Sequence, residues 1–219
     1  MLEKILDVFN VIFWFFLLNL LFIIFNIPLI LFFTSIGISN LFHYFPLFLL
    51  CLLPVMPAFT VLLYCMNKLM LNKGLSIMKD FISGVRSNFP QAFLIWFAEL
   101  VIFLMLYTNI KFFSTSSYGL ILVMLFASIT LILSAVTPFV FMLISRFKMS
   151  HFEIIKTSFI LCFTKPILTI TNLLLLVVSL ILFEIAPGIT ILFISSLLAF
   201  ALTFVNRTLF HELEELSEK

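Results

Sequence analysis

Charge is the scarcest property of this 219-residue sequence. Asp, Glu, Lys and Arg together make up 10% of it, against about a quarter in an ordinary soluble domain. Hydrophobic residues make up 64%, and the mean hydropathy is +1.32. These values exclude a soluble globular protein, a disordered chain and a coiled coil. The net charge of +2 leaves no strongly basic face for nucleic acid, so we expect the lipid bilayer, and no nucleic acid, as a partner.

Glycine and cysteine are also scarce. The sequence has five glycines and no GxxxG pattern, which indicates that close crossings at small residues are not the main way its helices pack. The three cysteines, Cys51, Cys65 and Cys162, lie in apolar surroundings and form no CxxC motif. An odd count in such surroundings favours neither a structural disulfide nor a thiolate metal site. We predict no metal and no cofactor.

Long apolar runs separate the few charges. No Asp, Glu, Lys or Arg occurs in the 60 residues between Asp7 and Lys68, or in the 34 residues between Lys111 and Arg146. About 20 apolar residues cross a bilayer as a helix, so the first run holds two crossings and a turn. The sequence predicts one integral membrane domain over residues 1–219, an all-α polytopic transmembrane helix bundle. Its six predicted spans are 8–33, 45–67, 90–110, 119–145, 166–184 and 189–206, with a tight turn at Pro187-Gly188 before the last.

The basic residues predict the orientation of this bundle. With six spans, eleven of the 12 Lys and Arg residues fall at the N-terminus, in the loops 68–89 and 146–165, and in the C-terminal tail. Those four segments share one side of the membrane, and only Lys111 falls on the other. Because cytoplasmic loops carry the excess of Lys and Arg, we predict that both termini are cytoplasmic (N-in/C-in).

Both basic loops show the apolar periodicity of a helix. In the first, Ile77, Phe81 and Phe89 recur at helical spacing, and in the second, Phe152 and Phe159 do so. We therefore predict two short cytoplasmic amphipathic helices. Each one either lies in the headgroup layer or extends a span, or forms a docking surface for a partner. The residues that would form that docking surface are Lys79, Phe81, Arg86, Phe89, Arg146, Phe152 and Lys156.

A few polar residues fall inside the predicted spans, and Glu99 is the most notable. It lies nine residues after Pro90, near the middle of the third span. An acid at the bilayer centre costs roughly 2.5–3.5 kcal/mol on insertion scales, so we expect Glu99 to face the bundle interior, to be protonated or to be paired. Its candidate partners within spans are Asn19, Asn26 and Asn172. Two interpretations follow: a proton or substrate contact in a carrier, or a neutral, hydrogen-bonded acid that joins helices.

Recognised enzyme motifs are absent. The sequence contains no HExxH, no P-loop and no GxSxG, so we predict that the protein is not an enzyme. The histidines His43, His151 and His211 fall in predicted loops or in the tail, where we expect them to be solvated or interfacial. The acidic run of the tail is typical of a solvated segment, or it docks on a basic partner surface. Its members are Glu212, Glu214, Glu215 and Glu218.

Four short stretches, which together cover most of the chain, resemble a known family. They are Asn19-Leu20-Leu21 with Pro28; Pro57-Ala58-Phe59-Thr60 with Tyr64; Asp80-Phe81 through Asn88-Phe89 with Gln91-Ala92 and Trp96; and Arg146-Phe147 with Lys156. In these the chain resembles the YesL-like family of small bacterial multi-pass membrane proteins, a domain of unknown function.

The resemblance implies a multi-pass protein of the bacterial plasma membrane. It further implies a non-enzymatic accessory role beside an ATP-binding-cassette (ABC) importer of oligosaccharides, in which the protein binds the membrane permeases. The alternative is an independent small carrier or channel that uses Glu99. The oligomeric state stays open, with a homo-oligomer among the alternatives.

Overall fold

The computed structural model describes residues 2–72, 76–115, 119–186 and 190–217, and these residues form α-helices joined by turns. The helices are α1 (Leu2–Phe25), α2 (Ile27–Ser35), α3 (Phe45–Cys51), α4 (Val55–Asn72), α5 (Ile77–Phe113), α6 (Leu120–Arg146), α7 (His151–Thr164), α8 (Pro166–Ile185), α9 (Ile194–Val205) and α10 (Arg207–Ser217). A short 3-10 helix, Ile38–Asn40, lies between α2 and α3. The prediction of an all-α polytopic bundle is confirmed.

Four helical segments are long and apolar enough to cross a membrane. They are Phe45–Leu71, which joins α3 to α4, and the helices α5, α6 and α8. Two further pairs of helices meet at a sharp bend, and each pair passes the same test of length and composition when its two helices are taken together. They are Phe9–Phe25 with Ile27–Ser35, in α1 and α2, and Ile194–Val205 with Arg207–Glu215, in α9 and α10. If each pair is one span, the described residues hold up to six spans. The bounds of α6 and α8 coincide closely with the predicted spans 119–145 and 166–184.

The first and last predicted spans differ from the observed helices. The chain bends by 67° at Asn26, inside the predicted span 8–33, where Pro28 follows in the first turn of α2. It bends again by 52° at Asn206. Helix α9 has 12 residues, a length of about 18 Å, and is too short to cross a core of about 30 Å alone. The predicted turn at Pro187-Gly188 lies outside the described residues.

The first amphipathic segment is not a separate helix: it extends a span, which is one of the alternatives that the sequence left open. Helix α5 runs for 37 residues, straight through Pro90, so the segment before Pro90 continues the third span. Proline lacks a backbone donor and usually ends or kinks a helix. Here α5 packs against both α4 and α6, and those contacts hold the helix together. At about 55 Å, α5 is about 25 Å longer than the hydrocarbon core is thick.

The second amphipathic helix is present as a separate element, α7. Its first turn carries a capping box, in which the Ser150 side chain accepts from the Glu153 N–H (3.4 Å). In return, the Ser150 N–H donates to the Glu153 carboxylate (2.9 Å). Helix α7 ends at Lys165 because Pro166, which opens α8, disfavours a helical conformation in the residue before it.

Helix α4 is the centre of the bundle, since it packs against α1, α5, α6 and α9. Its hairpin with α5 is closed near the turn by Asp80, which accepts from the Ser76 N–H (2.9 Å) and forms an ion pair with Lys68. Lys73, one of the predicted loop cations, lies outside the described residues. Farther along the hairpin, Gly84 meets α4 so closely that an added Cβ would be 2.9 Å from Tyr64 Cδ1.

Candidate functional site

Glu99 lies at the contact between α5 and α6, and it is 6% exposed. The hydroxyl of Thr137, on α6, donates to Glu99 Oε1 and is also within hydrogen-bond distance of the Leu133 carbonyl (2.9 Å). The other carboxyl oxygen, Oε2, is buried and has no hydrogen-bond partner among the described residues. The expectation that Glu99 faces the interior of the bundle therefore fits its position, with one oxygen bonded and one not.

Glu99 lines a groove of about 510 Å³ between α5, α6 and α7. The residues that line it, apart from Glu99 and His151, are apolar: Leu94, Ile95, Ala98 and Ile102 from α5, Leu133, Val136 and Val140 from α6, and Ile155 and Phe159 from α7. His151 is exposed at the first position of α7. The lining of the groove is thus apolar except for one carboxylic acid and one imidazole.

The start of α7 is held against α5 by a side chain. Gln91 Nε2 donates to the carbonyl of Met149 (2.8 Å), in the turn between α6 and α7. This bond positions His151 next to the groove, although the sequence predicts that His151 is a loop residue.

None of the three predicted asparagine partners reaches Glu99, and each lies buried elsewhere. Asn19 Nδ2 donates to the Ile191 carbonyl (2.6 Å), and its Oδ1 accepts from the N–H groups of Ser195 (3.1 Å) and Ser196 (3.4 Å). Those two N–H groups belong to the first turn of α9, where no intrahelical acceptor exists. Asn19 on α1 therefore caps a helix that is more than 170 residues later in the chain.

The other two asparagines mark the bends. Asn26 is the bend residue between α1 and α2, and its Nδ2 donates to the Phe22 carbonyl (2.8 Å). Asn172 on α8 accepts from Asn206 Nδ2 (2.8 Å), and Asn206 is the bend residue between α9 and α10. These amides satisfy backbone and side-chain groups where a helix is interrupted, which is a structural role.

Three of the predicted docking residues are engaged inside the protein. Phe81 is 4% exposed, and its ring lies 5.7 Å from that of Phe25. Phe89 is half-buried and contacts Phe25 as well (5.8 Å). Arg146 donates to both carboxylate oxygens of Glu214 (2.8 and 3.0 Å) and lies over the ring of Phe210. These three residues do not form the open surface that the periodicity suggested.

The remaining four predicted docking residues are exposed. Lys79 and Arg86 lie on the outer face of the first part of α5, and Lys156 and Phe152 lie on α7. Phe152 is 76% exposed. None of the three cations makes an ion pair with another residue that the structure describes.

The acidic tail contacts basic residues of its own chain, whereas the sequence predicts a solvated segment or a contact with a partner. Glu214 pairs with Arg146, and Glu212 pairs with Lys165 (2.9 Å). His211 lies 3.2 Å from Glu215 within α10. A second cavity, of about 560 Å³, lies between the ends of α4 and α6 and the helices α9 and α10. Glu218 and Lys219 lie outside the described residues.

The sequence does not predict the roles of two structurally important residues, Thr137 and Asn206. Thr137 gives no motif, because a threonine within an apolar run is common and its direction depends on helix rotation. Asn206 falls in an Asn-Arg-Thr triplet, which resembles a glycosylation site and carries no information about a bend. Among the described residues, no three His, Cys, Asp or Glu side chains lie close enough to hold a metal ion.

Comparison with known proteins shows similarity to a family model over residues 15–110. No curated protein matches the sequence, and no solved structure matches the fold. The matched region contains the α5 wall of the groove, including Glu99, whereas the walls from α6 and α7 lie beyond it. Residues 15–110 match the family model described as "Protein of unknown function, DUF624", so this stretch of the chain is similar to an uncharacterised family.

Proposed function

We propose that this protein is a non-enzymatic accessory subunit of the bacterial plasma membrane that binds the membrane permeases of an ABC importer of oligosaccharides. The resemblance to the YesL-like family is the reason for proposing such an importer as the partner. The observation that carries partner binding is the outward aromatic row of α7, a helix too short to cross the bilayer.

Helix α7 has two distinct faces. Ile154, Ser158 and Leu161 are buried against the bundle, where α7 packs on α6 and α8. Phe152 and Phe163, at the two ends of the opposite face, are 76% and 64% exposed. Large exposed aromatic side chains on a rigid, capped helix are typical anchors of an interface.

Basic residues accompany this apolar row. Lys148 and Lys156 are exposed beside it, and Lys79 and Arg86 are exposed on the extension of α5. Such a combination fits a partner surface that is apolar at its centre and acidic at its rim. The chain does not fit the role of a permease itself, because the segment 67–90 lacks the Glu-Ala-Ala signature that is typical of such permeases.

The test is affinity purification of the tagged full chain from native membranes in a mild detergent, followed by mass spectrometry. We expect permease and ATPase chains in stoichiometric amounts. The double variant Phe152→Ser/Phe163→Ser should lower their recovery about tenfold, since loss of interface anchors costs at least a factor of this order. The charge-reversed variant Lys79→Glu/Arg86→Glu tests the extension of α5.

Matched controls are Phe112→Ser and Lys111→Glu, which alter an exposed phenylalanine and a lysine on the predicted opposite side. Both should leave the recovery unchanged. A folded protein that purifies alone or only with copies of itself contradicts the proposal. Unchanged recovery with the Phe152 and Phe163 variant removes α7 as the docking surface.

An independent carrier is the second candidate function. It is favoured by the carboxyl group of Glu99, of which only one oxygen has a hydrogen-bond partner among the described residues. A coupling acid must exchange its proton or substrate partner, and Oε2 has no competing bond among the described residues. If the protein is a carrier, Glu99→Gln abolishes transport while expression and folding stay normal. Unchanged transport in that variant removes the carrier.

A further inference from the structure

We propose that the groove around Glu99 binds a single-chain amphiphile whose polar end carries an O–H or N–H donor and no negative charge. The ligand would lay its apolar chain between α5, α6 and α7 and donate to the Glu99 carboxyl. This site goes beyond partner binding and does not depend on it, because Phe152 and Phe163 do not line the groove.

The form of the groove is the first support. Its volume of about 510 Å³ lies within the range of about 300–1,000 Å³ that is usual for small-molecule sites. Such sites are mostly apolar, with a few polar groups that orient the ligand. Here nine of the eleven lining residues are apolar, and the polar ones are Glu99 and His151. That ratio fits a long apolar chain with one polar end.

The unpartnered oxygen of Glu99 is the second support. Glu99 is 6% exposed, and its Oε2 has no hydrogen-bond partner among the described residues. The hydroxyl of Thr137 already donates to Oε1. A buried polar atom without a hydrogen bond is unfavourable, so a ligand that supplies a donor to Oε2 gains an interaction that the protein alone leaves unmade.

The charge of the lining selects the class of ligand. Its titratable residues are Glu99, from α5, and His151, from α7; α6 contributes none, and no Lys or Arg lines the groove. A fatty carboxylate would place a second acid beside Glu99 without a cation to balance it. An alcohol or an ammonium group can donate to Oε2, and an ammonium also complements an ionised acid.

The experiment uses photoreactive probes on the purified full chain in lipid nanodiscs. The probes are derivatives of dodecylamine, dodecan-1-ol and dodecanoic acid, each with a diazirine at the far end of its chain. Mass spectrometry maps the labelled peptides. We expect the amine, the alcohol or both to label the groove segments 94–102 and 155–159, and the acid to label them much less. The amine alone indicates an ionised Glu99, and the alcohol alone indicates a neutral one.

Variants separate binding in the groove from partition into the lipid. Glu99→Gln should lower groove labelling by the amine about tenfold, as expected for loss of one charge-assisted hydrogen bond. Glu184→Gln is the matched control, because Glu184 is an exposed acid at the end of α8 that does not line the groove. Ala98→Phe adds a large side chain to the groove lining, and it should abolish labelling by every probe.

Three outcomes overturn the proposal. They are labelling by dodecanoic acid equal to that by the amine and the alcohol, labelling by the amine that Glu99→Gln leaves unchanged, and absence of labelling in the groove by all three probes. If Glu99→Gln does not fold, Ala98→Phe and the comparison of the three probes on the unaltered protein still decide the result.

Discussion

Buried amide side chains lie at the points where the helices of this protein begin or bend. Asn19 caps α9, Asn26 lies at the bend after α1, and Asn206 lies at the bend after α9. Inside a membrane no water satisfies the backbone groups that a bend or a helix end exposes. A buried asparagine can supply both a donor and an acceptor at such a point, which explains why these residues occur in otherwise apolar runs.

Asn19→Ala should lower the free energy of unfolding by about 1–2 kcal/mol, because the Ser195 and Ser196 N–H groups and the Ile191 carbonyl lose their partner. Reversible unfolding in mixed micelles measures the change. Asn10→Ala, on the exposed face of the same helix, is the control and should have little effect. Equal destabilisation by the two variants contradicts the capping role.

The pair Asn172 and Asn206 can be tested by a double-mutant cycle. Single and double alanine variants should show a coupling energy of about 0.6 kcal/mol and no more than about 1.7 kcal/mol, the range found for hydrogen bonds between membrane helices. The same micellar unfolding measurement applies. A coupling energy of zero means that the pair (2.8 Å between Nδ2 and Oδ1) adds nothing to the association of α8 with α9.

At the scale of the element, the two amphipathic segments differ: the first is part of α5, and the second is the separate helix α7. Helix α5 passes through Pro90 and packs against α4 and α6, whereas α7 starts afresh at its own capping box. Local sequence therefore sets the start of α7, while packing sets the length of α5. The second segment is thus a separate short helix, α7, whereas the first is the beginning of α5.

Ser150→Ala should weaken the start of α7 by about 1 kcal/mol, the usual effect of losing an N-cap. Hydrogen exchange of the amides in the first turn of α7 measures this. Protection of α8, which begins with its own proline, should not change. Unchanged exchange in α7 means that packing on α6 and α8, and not the cap, holds the first turn.

The capping box also predicts a dependence on pH. The hydrogen bonds from the Ser150 N–H and hydroxyl lower the pKa of Glu153. A lowered pKa in the folded state contributes stability above the unfolded value of about 4.3, and that stability is lost as the pH falls through the folded pKa. Protection of α7 should therefore be constant near neutral pH and fall in acid. In Glu153→Gln the fall should disappear.

The contact between α4 and α5 depends on one small residue. A Cβ on Gly84 would lie 2.9 Å from Tyr64 Cδ1 and 3.0 Å from Val61 Cγ1. Gly84→Ala should therefore separate the two helices and lower stability by about 1–3 kcal/mol, as overpacking does. Adding Val61→Ala should recover part of the loss. If Gly84→Ala is as stable as the original protein, the hairpin can relax around the added methyl group.

At the scale of the whole molecule, the C-terminal helix returns to the bundle. Glu212 and Glu214 pair with Lys165 and Arg146, so the acidic tail neutralises basic residues of the loop between α6 and α8. The basic residues of that loop are part of the pattern that predicts N-in/C-in. The helices alone do not orient the protein in a bilayer, and the predicted orientation stays a prediction.

Cysteine labelling on intact cells tests the orientation. Lys111→Cys and Lys148→Cys place thiols at two exposed positions on predicted opposite sides. A maleimide that cannot cross the membrane should label Lys111→Cys and not Lys148→Cys, and both should react after lysis. The reverse pattern contradicts the positive-inside prediction. The native Cys65 and Cys162 are buried and should react little.

The amino-acid sequence was enough to predict the class of this protein, a membrane-embedded, all-α chain, together with the approximate bounds of α6 and α8 and a short helix at α7. These features depend on the composition and order of neighbouring residues, since apolar length and capping are local properties. Four features could not be predicted from the sequence: α5 passes through Pro90, Asn19 caps α9, Phe81 is buried, and Glu99 contacts Thr137 beside an apolar groove. Each of these depends on how far a helix is rotated about its axis against another helix that is distant in the chain, and helix rotation follows from packing.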